Sequence, residues 1–506
     1  MNFKFGYCSA AAVAFAAVSG PAWADLTAQD VWSDWRDYMS GVGYEVSATE
    51  DQSGDTLTVS DLSLSMAIPD SDGTMSFTAD KIEFKENGDG TVTIMMPATM
   101  PMQIAGTEEG SAFDVTVNVE QSGHAMTASG SPDDLTYAYS ADAMVMRLAS
   151  INVDGEDMSS AVQIEVAINN IASETAMKIG DLRSYAQNMT SSGVTYNFTF
   201  DDPESDDGGS MVGSMSNVAF QGGGDIPKDM DTTDMQAMVK AGFAFDGTFS
   251  HGGGKTDVSG TDAGATFQYA STSQGGAIQV AMDASRLIYD LSQAQTTLNV
   301  VGGDIPFPVS LEMAEAGFRM LMPVGKSDTA QDFELVVKLG DFTMSDMIWG
   351  MIDPGGALPR DPASVIVDLA GKAKILIDLL GPDVAEEVMG ASAPPGELEA
   401  LTLRNLLVSA AGAELSGTGD FTFKNGGPSP FGPFPQPVGG VDLKLVGANG
   451  LIDKLIQMGI VTDQDAMGAR MMMGMLAVPG EGEDTLTSKI EMNEEGHIMA
   501  NGQRIQ

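Results

Sequence analysis

A two-residue alternation of apolar and polar side chains recurs along nearly the whole chain, and it restricts the fold more than any other feature. Leu62, Leu64, Met66 and Ile68 share one face of an extended segment, as do Phe113, Val115, Val117 and Val119. The spacing returns at Val162, Ile164, Val166 and Ile168, and at Val194, Tyr196, Phe198 and Phe200. It returns again at Phe333, Leu335, Val337 and Leu339, and at Val441, Leu443 and Leu445. Successive strand side chains point to opposite faces, so this pattern buries one face and wets the other. Antiparallel sheets behave this way, whereas parallel strands covered on both sides read as unbroken apolar runs. Turn formers separate the runs at Asp72-Gly73, Asn87-Gly88-Asp89-Gly90, Asp206-Asp207-Gly208 and Asn425-Gly426-Gly427. The expectation is a mainly-β protein, with large antiparallel sheets of many alternating strands and a few amphipathic helices.

The first helix is marked by the T-x-x-D of Thr27 and Asp30, a capping box. Val31, Trp32, Trp35, Tyr38 and Met39 then follow at helical spacing until Gly41. The two tryptophans read as a seal of the helix against a sheet rather than as a ligand platform. Shorter helices are expected over 231–239 and 344–352. A C-terminal helical pair is expected over 451–458 and 464–476, the second opened by Thr462 and Asp465. "GGDIP" occurs at 223–227 and again at 302–306, which suggests two related β units meeting near 225–305 within one β-rich domain over 25–506. The segment 426–440, "GGPSPFGPFPQPVGG", has prolines that cannot donate ladder hydrogen bonds; it reads as a rigid loop, with a partner groove as the other reading.

The N-terminus sets the compartment. Lys4 precedes a small, apolar run from Ala10 to Val18, then Ser19-Gly20-Pro21 and the A-x-A of Ala22-Trp23-Ala24. The run is too short to span a bilayer, which takes about 20 residues. Residues 1–24 therefore read as a signal peptide cleaved between Ala24 and Asp25, with the periplasm as destination. The single cysteine, Cys8, lies inside that segment behind Tyr7, a poor setting for lipid attachment. The mature chain is left with neither disulfides nor thiolate ligands.

With 71 acidic residues against 24 basic ones, the formal net charge is −47. A chain this acidic is a poor candidate for nucleic acid or an anionic membrane surface. Hydrophobic residues nevertheless make up 43 %, enough for a folded core rather than an acidic disordered tail. No later segment is apolar enough to span a membrane as a helix.

Motifs that carry chemistry are weak here. "HGGG" at His251–Gly254 echoes an oxyanion-hole loop, but the G-x-S-x-G elbow that should accompany it is missing. The overlapping "GGGKT" lacks the first P-loop glycine, because position 249 is Phe249. Both read best as one hairpin turn. The three histidines, His124, His251 and His497, are dispersed and have no cysteine to help them. In "DDPESDDGG", Asp202, Glu204 and Asp206 are weak calcium candidates; Asp207 and Gly213 occupy the positions where an EF-hand needs Gly and Glu. No nucleophile or general base stands out, no cofactor is indicated, and the expectation is a non-enzymatic protein.

"TVTIMMPATMPMQI", residues 91–104, packs four of the 35 methionines into eight residues. Read as one strand, it places Ile94, Met96, Met100 and Met102 on the same apolar face. A copper(I) site would need those thioethers to converge on a point, which a straight strand prevents. Core or groove lining is the plainer reading, since methionine adapts to irregular apolar contacts.

Three C-terminal strings resemble a known family: "GAELSGTGDFTF" (412–423), "GGVDLKLVGANGLIDKLIQMGIV" (439–461) and residues 466–505. They are similar to the closing region of the bacterial envelope family domain of unknown function 2125. "VWSDWRDYMSGVGYEV" (31–46) is similar too. The resemblance implies an envelope protein and supplies no catalytic or ligand residues. Within the last string, Ile490 and Met492 lead to a Glu495-Gly496 turn and Ile498 returns, a terminal hairpin.

Two function classes follow. In the first, a one-sided apolar sheet face forms a groove for a lipid or other hydrophobic ligand. In the second, the core is closed and the protein is a structural or protein-interaction component of the envelope. Calcium or copper(I) binding, and hydrolysis by an unrecognised site, stand behind both.

Overall fold

The computed structural model describes residues 25–505 apart from 69–71, 109, 204, 229–233, 304, 382–383, 385–387, 390–393 and 426–434. The chain opens with α1 (Ala28–Gly41), started by the reciprocal capping of Thr27 and Asp30. Three strands follow: β1 (Glu45–Ser53), β2 (Thr56–Ala67) and β3 (Thr74–Glu86). Next come β4 (Val92–Met95), β5 (Thr99–Glu108), β6 (Ser111–Ser122), β7 (Ala125–Ser131) and β8 (Asp134–Val153). After the short β9 (Glu156–Asp157) run three long strands, β10 (Val162–Ile179), β11 (Leu182–Asp201) and β12 (Gly208–Pro227). Helix α2 (Met235–Lys240) leads into β13 (Ala244–His251), β14 (Gly253–Asp262), β15 (Ala265–Ser273) and β16 (Gly276–Met282). Then come β17 (Arg286–Gly302), β18 (Ile305–Pro323), β19 (Gln331–Met344) and α3 (Asp346–Ile352). The meander continues with β20 (Ala363–Ile375), β21 (Gly396–Ala410), β22 (Ala413–Lys424) and β23 (Gln436–Val446). It closes with α4 (Ala448–Gln457), α5 (Asp463–Leu476), β24 (Val478–Pro479), β25 (Thr485–Met492), β26 (Ile498–Ala500) and β27 (Gln503–Arg504). Among the described residues 27 strands join one antiparallel sheet, so the mainly-β expectation holds.

The topology is simpler than the strand count suggests. β4 and β5 both pair with β3, at its two ends, and act as one strand interrupted midway. β6 and β7 lie end to end along β8 in the same way. So do β13 and β14 along β12, and β15 and β16 along β17. The result is an up-and-down meander in which each crossing pairs mainly with the one before and the one after.

The interruptions line up with left-handed residues inside unbroken strands. Asp61 in β2, Asn170 in β10, Asn217 in β12, Gln295 in β17 and Asp341 in β19 all have φ between 44° and 52°. The pairing registers set Asn170 across from Ser192, and Ser192 across from Asn217. Asn170 Nδ2 donates to Ser192 Oγ at 2.9 Å. Together these positions form a crease running across the sheet, perpendicular to the strands. At the crease the alternation slips by one residue: Val162 to Ile168 continues as Ile171, Met177 and Ile179, so one face stays apolar on both sides. Ala141, Ile171, Ser191 and Val218, neighbours along the crease on that face, are buried, whereas Asn170, Ser192 and Asn217 on the reverse are exposed. The sheet therefore bends toward its apolar side.

The reverse face is held by cross-strand ion pairs. Arg319 donates to Asp290 at 2.7 Å and to Glu334 at 2.9 Å, and Arg404 donates to Glu334 at 2.9 Å. Arg147 likewise spans Glu120 and Glu165. The buried core cluster lies at the N-terminal end, where Val31 and Trp32 of α1 pack on Leu57, Val59, Ile82, Phe84 and Tyr137. Trp35 meets Phe84 edge-on at 5.4 Å, so the tryptophans do seal a helix to the sheet.

Several expectations change. Residues 92–104 are not one strand, because the chain breaks at 96–98 where it crosses the crease. "HGGG" is not a hairpin turn: His251 ends β13, Gly252 sits opposite Asn217, and Gly253 starts β14 in the same direction. Of the proline-rich segment, 426–434 lies outside the described residues, and 436–440 belongs to β23 rather than to a loop. The described part of the second helix is Met235–Lys240, capped by the Asp234 side chain. The first "GGDIP" ends β12, while in the second Gly302 and Gly303, both at positive φ, form the turn from β17 to β18.

Candidate functional site

The most extensive feature is the concave apolar face itself. In antiparallel pairing, partners in register share a face, so side-chain rows can be followed across the sheet. One row runs Met189, Phe220, Phe249, Ile278 and Leu291 over β11, β12, β13, β16 and β17. It continues through Phe318, Val337, Val367 and Leu406 over β18 to β21. At the usual strand spacing these nine positions span about 40 Å. The residues beside the row alternate away to the polar face, as Val337 does with Lys338 and Leu291 with Asp290.

This face is open along much of its length. Phe200, Met211, Tyr269, Leu335, Leu339 and Val408 all lie on it, between 36 % and 48 % exposed. α1 covers its N-terminal end. At the C-terminal end Ser488, which shares a face with Leu443, donates through Oγ to the Leu476 carbonyl at 2.5 Å. Asn501 Nδ2 donates to the same carbonyl at 3.0 Å, holding the end of α5 against the sheet. Between the two ends runs a trough. On one wall it deepens into a hollow of 580 Å³ edged by Val162, Ile164, Phe198, Phe200, Met211 and Phe267. That volume falls within the range of small-molecule sites.

A second hollow, of 570 Å³, lies beside α1 and mixes apolar lining with the charged side chains of Asp30, Asp34, Asp37, Arg183 and Lys228. Asp34 and Arg183 serve the fold. Arg183 donates to Asp34 and stacks over the Tyr38 ring at 4.8 Å, and Tyr137 Oη donates to Asp34 at 3.0 Å. Burial and the neighbouring Asp34 charge hold the Tyr137 phenol well above its ordinary pKa, so it stays a donor.

The residues singled out from sequence are divided between settings. Ile94 is fully buried in the core under α1, opposite Phe84 and Met126. Met96 packs against that core, and its carbonyl lies 3.1 Å from His124 Nε2. Met100 and Met102 sit beyond the crease, Met100 opposite Val119 and Met102 opposite Phe77 and Val117. The four do not converge on a point. Asp202 accepts from Ser205 Oγ at 2.8 Å within a turn that also holds Asp206 and Asp207, while Glu204 lies outside the described residues. Among the described residues no three His, Cys, Asp or Glu side chains group as a metal site. Of the cleavage pair, Ala24 lies outside the described residues and Asp25 is exposed at their start. No helix among them is long and apolar enough to cross a membrane, which says nothing of strands.

A groove along an apolar sheet face was expected; what sequence reasoning missed was the crease that crosses it. The signal was present in the slip from Ile168 to Ile171 around Asn170, where alternation changes parity without leaving the strand.

The chain matches the family model described as an uncharacterized protein conserved in bacteria, DUF2125, over residues 240–498. It belongs to this family. The family match begins with the last residue of α2 and takes in β13 to β25, so it holds most of the open trough and both C-terminal helices. The N-terminal stretch 31–46 falls outside the family match. No curated protein and no solved structure matches the chain.

Proposed function

We propose that this is an exported, non-enzymatic envelope protein whose trough holds the acyl chains of a lipid. The observation that carries the reading is the row from Met189 to Leu406, nine apolar side chains on successive strands of an open concave face. Apolar surface exposed over such a length costs about 25 cal/mol per Å² relative to covering it. A polypeptide is a poor occupant, because its backbone N–H and C=O groups would be desolvated against side chains that offer no hydrogen bonds. Acyl chains carry no such groups and conform to any lining, and the methionines along the face adapt in turn. Export rests on the leader-like residues 1–24 and fits a carrier of lipid between membranes.

The test is native mass spectrometry of the mature protein purified from the periplasm, with organic extraction of the same sample. The reading expects bound lipid in both measurements. A protein located in the cytoplasm, or one that carries no lipid and takes up no fluorescent fatty acid, would overturn it.

A further inference from the structure

α5 is an unusual helix for so acidic a molecule. It is fixed by one narrow face: Ala466 is buried, and Arg470 donates to Asp453 at 2.5 Å and to Asn449 Oδ1 at 3.3 Å. Past an acidic first turn with Asp463 and Asp465, its surface presents Met467, Met471, Met472 and Met475, each between 61 % and 68 % exposed. Ile460 before the helix and Val478 after it are exposed too. Soluble proteins rarely expose contiguous apolar patches above a few hundred Å², and larger ones mark contact with a protein or a membrane.

Two observations choose between those partners. From Ala466 to Gly480 there is no carboxylate, in a chain with 71 of them, and Arg470 is the only charge. Beyond the first turn, where Asp463, Gln464 and Asp465 are exposed, the outward residues are methionine, glycine and Ala469, so their side chains supply almost no hydrogen-bonding groups. A protein interface makes about one hydrogen bond per 100–200 Å², which this face cannot meet. The boundary between headgroups and acyl chains of a bilayer asks only for apolar burial, and methionine supplies that without a fixed shape. The patch also adjoins the trough, since the Leu476 carbonyl at the end of α5 is bonded to Ser488 on the apolar face.

We propose that α5 docks the C-terminal end of the trough onto an uncharged lipid bilayer, its methionines inserted among the acyl chains; this rests on the lipid-binding reading above. The net charge of −47 makes an anionic surface repel the same approach. The test is flotation of the mature chain with phosphatidylcholine vesicles, set beside the combined variant Met467→Glu, Met471→Glu and Met475→Glu. These side chains are exposed, so folding is retained, and circular dichroism checks it. Wild type is expected to float, less so when phosphatidylglycerol is added, and the glutamate variant is expected to lose at least tenfold in binding. Leucine at the same three positions is expected to keep it. Lipid extracted from the glutamate variant should match wild type, which separates docking from trough occupancy. Wild type that stays unbound, or a glutamate variant that floats equally well, would overturn the proposal. So would a lipid-independent dimer abolished by Met471→Glu, which would assign the face to a second copy.

Discussion

Arg183 donates to both carboxylate oxygens of Asp34, joining α1 to the start of β11 across 149 residues of chain. The pair is nearly enclosed, with side-chain exposures of 11 % and 7 %. Removing one partner strands the other charge away from water, whereas an apolar replacement of both would cost far less. Asp34→Ala should therefore destabilise by about 3–5 kcal/mol in urea unfolding. A change under 1 kcal/mol would show that α1 is held by its apolar face alone.

Met211 and Val212 are adjacent, similarly exposed, and on opposite faces of β12. Met211→Gln should weaken fatty-acid uptake several-fold, because it places an amide on the wall of the trough. Val212→Gln should leave uptake unchanged. Equal effects in a fluorescence displacement assay would remove the apolar face as the binding surface.

The crease depends on residues that tolerate φ near 50°. A β-branched residue there costs about 1–2 kcal/mol, while glycine adopts the conformation freely. Asn217→Val should lower stability by that amount, Gln295→Val by less because glutamine already bears much of the cost, and Gln295→Gly should leave it unchanged or raise it. Thermal unfolding of the three variants decides the matter.

Glu334 sits between Arg319 and Arg404, whose hydrogen bonds hold its carboxyl below the ordinary value of 4.5. A carboxyl whose folded pKa is lowered adds stability above its unfolded pKa and loses it as the pH falls through the folded one. The stability difference between wild type and Glu334→Gln should thus be on the order of 1 kcal/mol at pH 7 and vanish under acid. Denaturant midpoints measured from pH 7 down to pH 3 would show it; a difference independent of pH would discount the ion pairs.

Strand period and helix caps were legible from the residues alone. Alternation at Val194 to Phe200 or Phe333 to Leu339 is local, and so is the reciprocal capping of Thr27 and Asp30. The terminal hairpin after Met492 was legible for the same reason. The crease was not, because Asn170, Asn217 and Gln295 read as ordinary polar strand residues until their registers coincide across the sheet. Met96-Pro97-Ala98 was misread on that account, as a continuous strand rather than one that breaks where its neighbours turn left-handed. Whether a one-sided strand faces core or open space depends on what the rest of the chain lays over it, which no single segment encodes.

The meander also makes the molecule a ruler. Each crossing adds one strand width, about 4.8 Å, so duplicating or deleting a hairpin would change the reach by about 10 Å without re-registering any pair already formed. Span and stickiness are then separate variables: strand number sets how far the protein extends, and the residues of each row set what it holds.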